Sequence, residues 1–362
     1  MCSSENARCG SPQIFTVCCV ERIGGLRKRQ QKLCGAIGAA ELLLSRRADH
    51  DAGQRAQRVF PVGNSADRPQ DSLDSVFPDP YNYSRQDKER LLTGLPAEGG
   101  FRMDDRILEV KRYWNEISDS EWYRSLRTEE RLGRLREKPE TAFSPGVLEL
   151  IQRYVGDFKG KKILLPSSGD NHAAFAFALM GARVTSADIS ERQLENAEKI
   201  SCRWKLDVEF VCDNTMGLSK FDDGTFDLVY TSNGTLTWIY DLGQMYRNVA
   251  RVLKKGGYSA MYDVHPFTRP FTMEARKPPE IRKSYQDVFP DLHWRVQDIV
   301  NANAQAGLRI LEMAELPSAD ASFWYTFEEL KTKTAEQTAD VNDWKCNPMA
   351  AIPVWLAMIA QK

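Results

Sequence analysis

Short apolar runs that alternate with helical segments are the feature that most restricts how this chain of 362 residues can fold. From residue 161 onwards, the runs KKILLP, ARVTSAD, VEFVC, FDLVYTS and GYSAMYDV have the length and composition of buried strands. Among them lie HAAFAFALM, ERQLENAEKISCRW and DLGQMYRNVARVL, which have the composition and spacing of helices. This alternation predicts a doubly wound α/β fold, a mostly parallel sheet with helices on both faces.

The end of the chain completes the predicted sheet. HWRVQDIVNANAQAGLRILEMAEL and PVWLAMIAQK predict one more helix and two closing strands, so the sheet has seven strands. The long connection between the fifth strand and that helix, at residues 266–294, predicts a lid over the substrate, and His293 could belong to it.

A helical cap is expected before the sheet. Residues 103–139 mix charged and apolar residues at helical spacing, which predicts two or three amphipathic helices. In SPGVLELIQRYVGDF we expect a further helix, with Ser144 as N-cap and Pro145 at its first position. We therefore divide this part of the chain into a cap at 103–144 and an α/β domain at 145–362.

Residues 1–102 differ from the rest. All eight tryptophans follow them, and FPVGNSADRPQDSLDSVFPDPYN is rich in turn formers, which favours disorder. Glu98–Gly100 can be encoded by a bacterial ribosome-binding sequence, placed just before the codon of Met103. We interpret residues 1–102 as a translated leader, and a genuine flexible extension is the alternative.

Composition narrows the classes of partner. The formal net charge is -1, and no apolar run reaches the length of about 18 to 20 residues that a membrane helix needs. The cysteines show no metal-ligand spacing, so we expect no metal. We expect a cytoplasmic monomer or homodimer that binds a small molecule and contacts neither nucleic acid nor membrane.

Two polar segments follow the first two predicted strands. Ser167–Asn171 precedes a helix, where backbone N–H groups and the helix N-terminus favour an anionic ligand, although a plain tight turn is equally compatible. Asp188 ends the second strand, 19 residues after Gly169, where a carboxylate can accept hydrogen bonds from ribose hydroxyls or simply cap the next helix. Together the two segments favour a nucleoside ligand.

The sequence resembles the class I S-adenosylmethionine-dependent methyltransferases, especially the branch of ubiquinone and menaquinone biosynthesis. The glycine motif of that family aligns without a gap with Ile163–Asn171, and DDGTFDLVYTS, RVLKKGG and GYSAMYDV continue the resemblance. It covers about residues 145–270 well and does not extend to residues 1–102. It implies S-adenosyl-L-methionine as the cofactor and methyl transfer as the reaction.

The resemblance also implies roles for individual residues. The first loop would line the methionine end of the cofactor, the end of the second strand would take the ribose and one adenine face, the end of the third would take the adenine amine, and the end of the fourth would face the amino-acid moiety and the transferred methyl. The residues are Ser167, Ser168, Gly169 and Asp170, then Asp188 and Ile189, then Asp213, Asn214 and Thr215, and finally Ser232 and Asn233.

Three residues depart from the family pattern. Leu165 replaces an acidic residue, and Ser167 and Asn171 replace two glycines. Asp170 could supply the missing carboxylate from within the loop, so we interpret a variant site that is still functional. A catalytically inactive nucleoside-binding protein is the alternative, and a nicotinamide-dependent oxidoreductase is a third possibility.

For catalysis we expect His265 as a base, with Asp263 two residues away on the same strand face, although a strand-end histidine is commonly structural. His172 is expected to shape the loop or line the cofactor pocket. Aromatic residues of the cap, such as Trp114 and Trp122, could cover the substrate, although helix packing is the more ordinary role. TSNG is unlike the motif of DNA-adenine methylation, which favours a small-molecule acceptor.

Overall fold

The computed structural model describes residues 103–289 and 292–362, with side chains from residue 106. The described residues all lie in one compact unit. The interpretation of residues 1–102 as disordered or as a leader concerns residues outside this description.

A seven-stranded sheet forms the centre of the described part. The strands in chain order are β1 (Lys162–Pro166), β2 (Arg183–Asp188), β3 (Val208–Cys212), β4 (Phe226–Ser232), β5 (Leu253–Val264), β6 (Phe271–Thr272), β7 (Glu280–Ile281), β8 (Arg309–Leu316) and β9 (Trp355–Gln361). The sheet has the order β3-β2-β1-β4-β5-β9-β8, and β6 pairs with β7 separately. Strand β9 is antiparallel to both of its neighbours, β5 and β8, and the other pairs of neighbouring strands in this sheet are parallel. The predicted fold class is confirmed.

Helices surround the sheet and precede it. They are α1 (Met103–Ile117), α2 (Glu121–Leu126), α3 (Glu129–Glu137), α4 (Val147–Val155), α5 (His172–Leu179), α6 (Glu191–Trp204), α7 (Leu242–Val252), α8 (Val296–Gln305), α9 (Phe327–Thr332) and α10 (Ala335–Thr338). The first three confirm the helices expected before Pro139. No helix among the described residues is long and apolar enough to cross a bilayer.

Strand β1 is buried on both faces of the sheet. Ile163 and Leu165 point into one hydrophobic cluster and Leu164 into the other, because successive side chains of a strand alternate between faces. Leu165 stands where the family has an acid, and its side chain is only 1% exposed. The leucine is therefore a core residue in this chain.

Two local expectations were wrong. Ser144 is not the N-cap of α4, because Gly146, with φ of 84°, occupies that position and the helix begins at Val147. The Ser144 hydroxyl instead pairs with the Tyr262 hydroxyl at 2.6 Å. Strand β5 begins at Leu253 and includes the two lysines and two glycines of RVLKKGG, whereas the predicted strand GYSAMYDV begins only at Gly257.

Replacing Leu165 by aspartate tests whether the core accepts the acid of the family. We expect Leu165→Asp to lower the free energy of unfolding by more than about 3 kcal/mol, because an unpaired carboxylate would be buried. The control Leu165→Met should cost less than about 1.5 kcal/mol, since it conserves volume and polarity. Urea unfolding measures both, and an aspartate variant as stable as the methionine variant would contradict the apolar assignment.

Candidate functional site

The loops after the first four parallel strands meet at one edge of the sheet around a cavity of about 410 Å³. Parallel strands place their carboxyl ends at the same edge, so residues distant in sequence come together there. Ten of the eleven residues assigned to the cofactor line this cavity: Ser167, Ser168, Gly169, Asp170, Asp188, Ile189, Asn214, Thr215, Ser232 and Asn233. The structure thus gathers almost all of the assigned set.

The first loop keeps a glycine-like backbone where serine has replaced glycine. Ser167 has φ of 50°, in the left-handed region that costs a non-glycine residue about 1 to 2 kcal/mol. Its hydroxyl pairs with the Thr215 hydroxyl at 2.6 Å, which ties the loop after β1 to the loop after β3. Gly169 also has φ of 50°, and an added Cβ there would lie 2.9 Å from Gln193 of α6.

Asn171 gives the altered loop a contact that glycine could not make. Its Oδ1 accepts from the Ala173 amide at 2.9 Å and so caps α5. Its Nδ2 donates to the hydroxyl of Ser232, the last residue of β4, at 3.0 Å. Asn171, which stands in place of the third glycine, therefore connects the first loop to α5 and to β4 in the wall of the cavity.

Asp170 is a buried carboxylate that lines the cavity. Burial raises its pKa to about 6, although the Arg127 guanidinium, with Nη1 3.2 Å from Oδ2, works against the rise. The distance qualifies as an ion pair, but the angles do not make a hydrogen bond, and Oδ2 accepts none within the described part of the chain. The Ser168 hydroxyl is likewise buried without a partner there. The Asp170 oxygen can therefore accept a hydrogen bond from a ligand, and the Ser168 hydroxyl can donate or accept one.

Asp188 lies at the end of β2 and lines the cavity. Its Oδ1 accepts from the Ser190 amide at 2.8 Å, which shapes the turn into α6. Burial raises its pKa to about 7, with a smaller contribution from the nearby Asp170 carboxylate. The group can therefore gain or lose a proton near neutral pH, according to what its carboxylate contacts.

Helix α1 docks on the start of α6, beside Asp188. The Asn115 Oδ1 accepts from the Ser190 hydroxyl at 2.7 Å and from the Arg192 amide at 3.0 Å. Arg192 also pairs with Asp119, through Nη2 at 2.6 Å. These contacts hold the cap over the cofactor loops.

Aromatic side chains form much of the remaining wall. Trp114, Trp122 and Tyr123 come from the cap, as the sequence suggested they could, and they also pack with other rings. On the other side Tyr262 stacks on Trp355 at 4.7 Å, and Phe323 meets Trp355 at 5.4 Å. Neither the segment 318–323 nor Trp355 was expected in the wall of this cavity, and the adjacent rings of Phe323 and Trp324 were the only sequence signal near that segment.

Asp213 is the one assigned cofactor residue that does not line the cavity. Its carboxylate accepts from the amides of Asn214 and Lys220, at 2.8 and 3.0 Å, and from the Ser219 hydroxyl at 3.2 Å. It closes the loop after β3. This placement goes against the expected contact with an adenine amine.

His265 and Asp263, expected as the catalytic base and its partner, do not line the cavity. Both are buried: His265 Nε2 bonds Glu315 at 3.0 Å and Nδ1 accepts from the Phe267 amide at 3.1 Å, while Asp263 accepts from the Leu236 amide at 3.0 Å. Asp263 lies in β5, and His265 follows the last residue of that strand, Val264. The face opposite Asp263, with Tyr262 and Val264, is the one that lines the cavity.

His172 is the histidine that lines the cavity. Its Nε2 lies 3.1 Å from the Leu126 carbonyl, which can only accept, so Nε2 carries the proton and Nδ1 has the lone pair. Burial lowers the pKa of His172, so the ring is neutral at pH 7. The loop and pocket role expected for His172 agrees with this position, and the lone pair adds a basic atom.

Known proteins are similar to this chain in the part that forms the cavity. Residues 165–261 match a methyltransferase domain family. A ubiquinone biosynthesis O-methyltransferase of Bordetella avium is 30% identical over 121 residues, which are 33% of this chain and 50% of that protein. An uncharacterized methyltransferase of Bacillus subtilis is 27% identical over 133 residues, 37% of this chain and 52% of that one. The chain spans about half the length of the relatives it matches.

Among solved structures, an S-adenosylmethionine-dependent methyltransferase of Mesorhizobium loti is 18% identical, with a TM-score of 0.45 over 59% of this chain and 96% of that one. Geranyl diphosphate C-methyltransferase of Streptomyces coelicolor is 14% identical, with a TM-score of 0.46 over 70% of this chain and 97% of that one. The family match and the curated relatives confirm the resemblance to class I methyltransferases of the ubiquinone-biosynthesis branch.

Gly169→Ala tests how tightly the first loop packs on α6. We expect a loss of about 2 to 4 kcal/mol in the free energy of unfolding, from the positive φ and the contact with Gln193 together. Gly224→Ala is the control, because its φ of 62° is similar and an added Cβ meets nothing within 4 Å. It should cost only about 1 to 2 kcal/mol. Equal losses in urea unfolding would contradict the close packing.

Proposed function

We propose that this chain is an S-adenosylmethionine-dependent methyltransferase that acts on a small molecule. The observation that carries the proposal is the meeting of four strand-end loops, with Asp170 and Asp188 on one cavity. A nucleoside with a charged amino-acid tail needs these two acceptors. The monomeric or dimeric state and the cytoplasmic location stay predictions.

The described residues fit this cofactor. Asp170 has an Oδ2 without a hydrogen bond, and Ser168 has a buried hydroxyl without a partner, among the described residues. A ligand ammonium would donate to the Asp170 carboxylate. Asp170 would then take the role of the family's acid, which Leu165 cannot fill. The Asp188 carboxylate also lines the cavity, where its oxygens could accept from ribose hydroxyls. Ile189 and Asn214 would flank the adenine.

When bound, the cofactor would supply a methyl group on a sulfonium, and the nucleophile that takes this methyl would displace S-adenosylhomocysteine as the leaving group. The protein has to align that nucleophile and exclude water, which is the work of the loops and the aromatic wall. The His172 Nδ1 has the lone pair to take a proton from an acceptor that must lose one. His172 therefore replaces His265 in the proposed mechanism.

Calorimetric titration tests the cofactor. We expect binding of S-adenosylmethionine and S-adenosylhomocysteine but not of NAD, and a tenfold or greater rise in Kd in Asp188→Asn, about 1.4 kcal/mol or more. Preference for NAD, or failure to bind either sulfur nucleoside, would overturn the proposal. Binding without turnover against a small-molecule extract would instead support the nonenzymatic alternative.

The affinity for S-adenosylhomocysteine should fall at acidic pH. Ribose and ammonium donors favour the ionised carboxylates, so binding releases protons below the raised pKa values of about 7 for Asp188 and about 6 for Asp170. From pH 7.5 to 5.5 we expect Kd to rise about 10- to 100-fold, but less than about tenfold in Asp188→Asn. A pH-independent wild-type Kd would contradict this.

His172→Gln tests the proposed base. Glutamine can still donate to the Leu126 carbonyl but is not basic, so we expect methyl transfer to a protic acceptor to fall about 10²- to 10⁴-fold. The loss should shrink at high pH, where the acceptor ionises unaided, and the Kd for S-adenosylhomocysteine should change little. If only that Kd changes, His172 positions the cofactor and is not the base.

A further inference from the structure

Three arginines line the cavity without an ion pair to any described residue: Arg106, Arg131 and Arg269. Arg106 lies 5.8 Å from the centre of the Tyr240 ring and has Glu109 in its surroundings, but not at ion-pair distance. Arg106 and Arg269 are half-buried, and Arg131 is exposed. No described carboxylate lies at ion-pair distance from these three guanidinium groups, although Asp170, Asp188 and Asp320 also line the cavity.

Some arginines elsewhere in the described part have a carboxylate partner. Arg127, Arg192 and Arg295 each have a carboxylate within 3.2 Å. Half-buried guanidinium groups without a partner cost free energy unless water or a ligand satisfies their donors. Their concentration on one cavity therefore points to anionic ligand groups.

The proposed cofactor accounts for only part of this charge. Its ammonium faces Asp170 in our assignment, and its single carboxylate can neutralise one arginine. Asp320 also lines the cavity, but it is exposed and its Oδ1 accepts from the Ser322 amide at 2.7 Å. One arginine or more is left for the acceptor.

Arg269 is the arginine on the side of the cavity formed by the end of β5 and the residues after it. It follows the short turn Pro266–Thr268, which His265 holds: its Nδ1 accepts from the Phe267 amide, and its carbonyl accepts from the Thr268 hydroxyl at 2.9 Å. Buried His265 thus fixes the turn from which Arg269 emerges. The neighbouring wall consists of Tyr262 and Trp355, a stacked pair.

We propose that the methyl acceptor carries an oxyanion, a carboxylate or a phosphate, which Arg269 binds while the apolar body of the acceptor lies against Tyr262, Phe323 and Trp355. This inference rests on the proposed function, since it concerns the acceptor half of the same cavity. Arginine suits the role because its planar donors match both kinds of oxyanion.

The test uses the full chain saturated with S-adenosylhomocysteine and three probes, phenylacetate, phenyl phosphate and uncharged phenylacetamide. We expect at least one of the two anions to bind about tenfold or more tightly than the amide in calorimetry. Arg269→Gln should abolish that preference. The control Arg136→Gln removes the same charge from an exposed position of α3, outside the cavity, and should retain it.

The anion with the higher affinity shows whether the site binds a carboxylate or a phosphate. Equal binding of anions and amide, no binding of either anion, or an undiminished preference in Arg269→Gln would overturn the inference. An unchanged affinity of Arg269→Gln for S-adenosylhomocysteine shows that the variant is folded. Failure of the wild-type protein to bind S-adenosylhomocysteine is a separate result, which counts against the proposed function itself.

Discussion

The parallel pairing of β1 with β2 on one side and with β4 on the other is the contact on which the cavity depends. Ile163 pairs with Val184 and with Leu228, so three strands end at the same edge of the sheet. The strand order reverses beside β1, and the loops diverge there and leave a crevice. Because β1 is buried on both faces, the core fixes its position. The first loop, which begins at the end of β1, therefore starts from a fixed point.

Much of the fold could be predicted from the sequence because the apolar periods are clear. Helix α6 and strands β3 and β4 have the predicted ends, and the seven-stranded sheet is as expected. The start of α4 was wrong because glycine can also occupy an N-cap position, and the sequence does not show which of the neighbouring residues takes it. The strand start at Leu253 was missed because glycines usually indicate a turn.

The cofactor half of the site was more predictable than the catalytic half. Strand-end loops must meet in a parallel sheet, so position in sequence nearly determines position in space. The period of two in the fifth strand predicted that Asp263 and His265 share one face, but only packing decides which side chains meet the cavity. Asp213 shows a related limit, since hydrogen bonds within its own loop engage its carboxylate. The wall from 318–323 depends on tertiary contacts that no local pattern encodes.

The brace formed by Asn171 has a consequence for the thermodynamics of association. A loop with three glycines is mobile when empty and loses conformational entropy when a ligand orders it. Here the same loop is fastened to α5 through Oδ1 and to β4 through Nδ2, and Ser167 is fastened to Thr215. The loop therefore loses its conformational entropy during folding, and a ligand binds to a cavity wall that is already ordered.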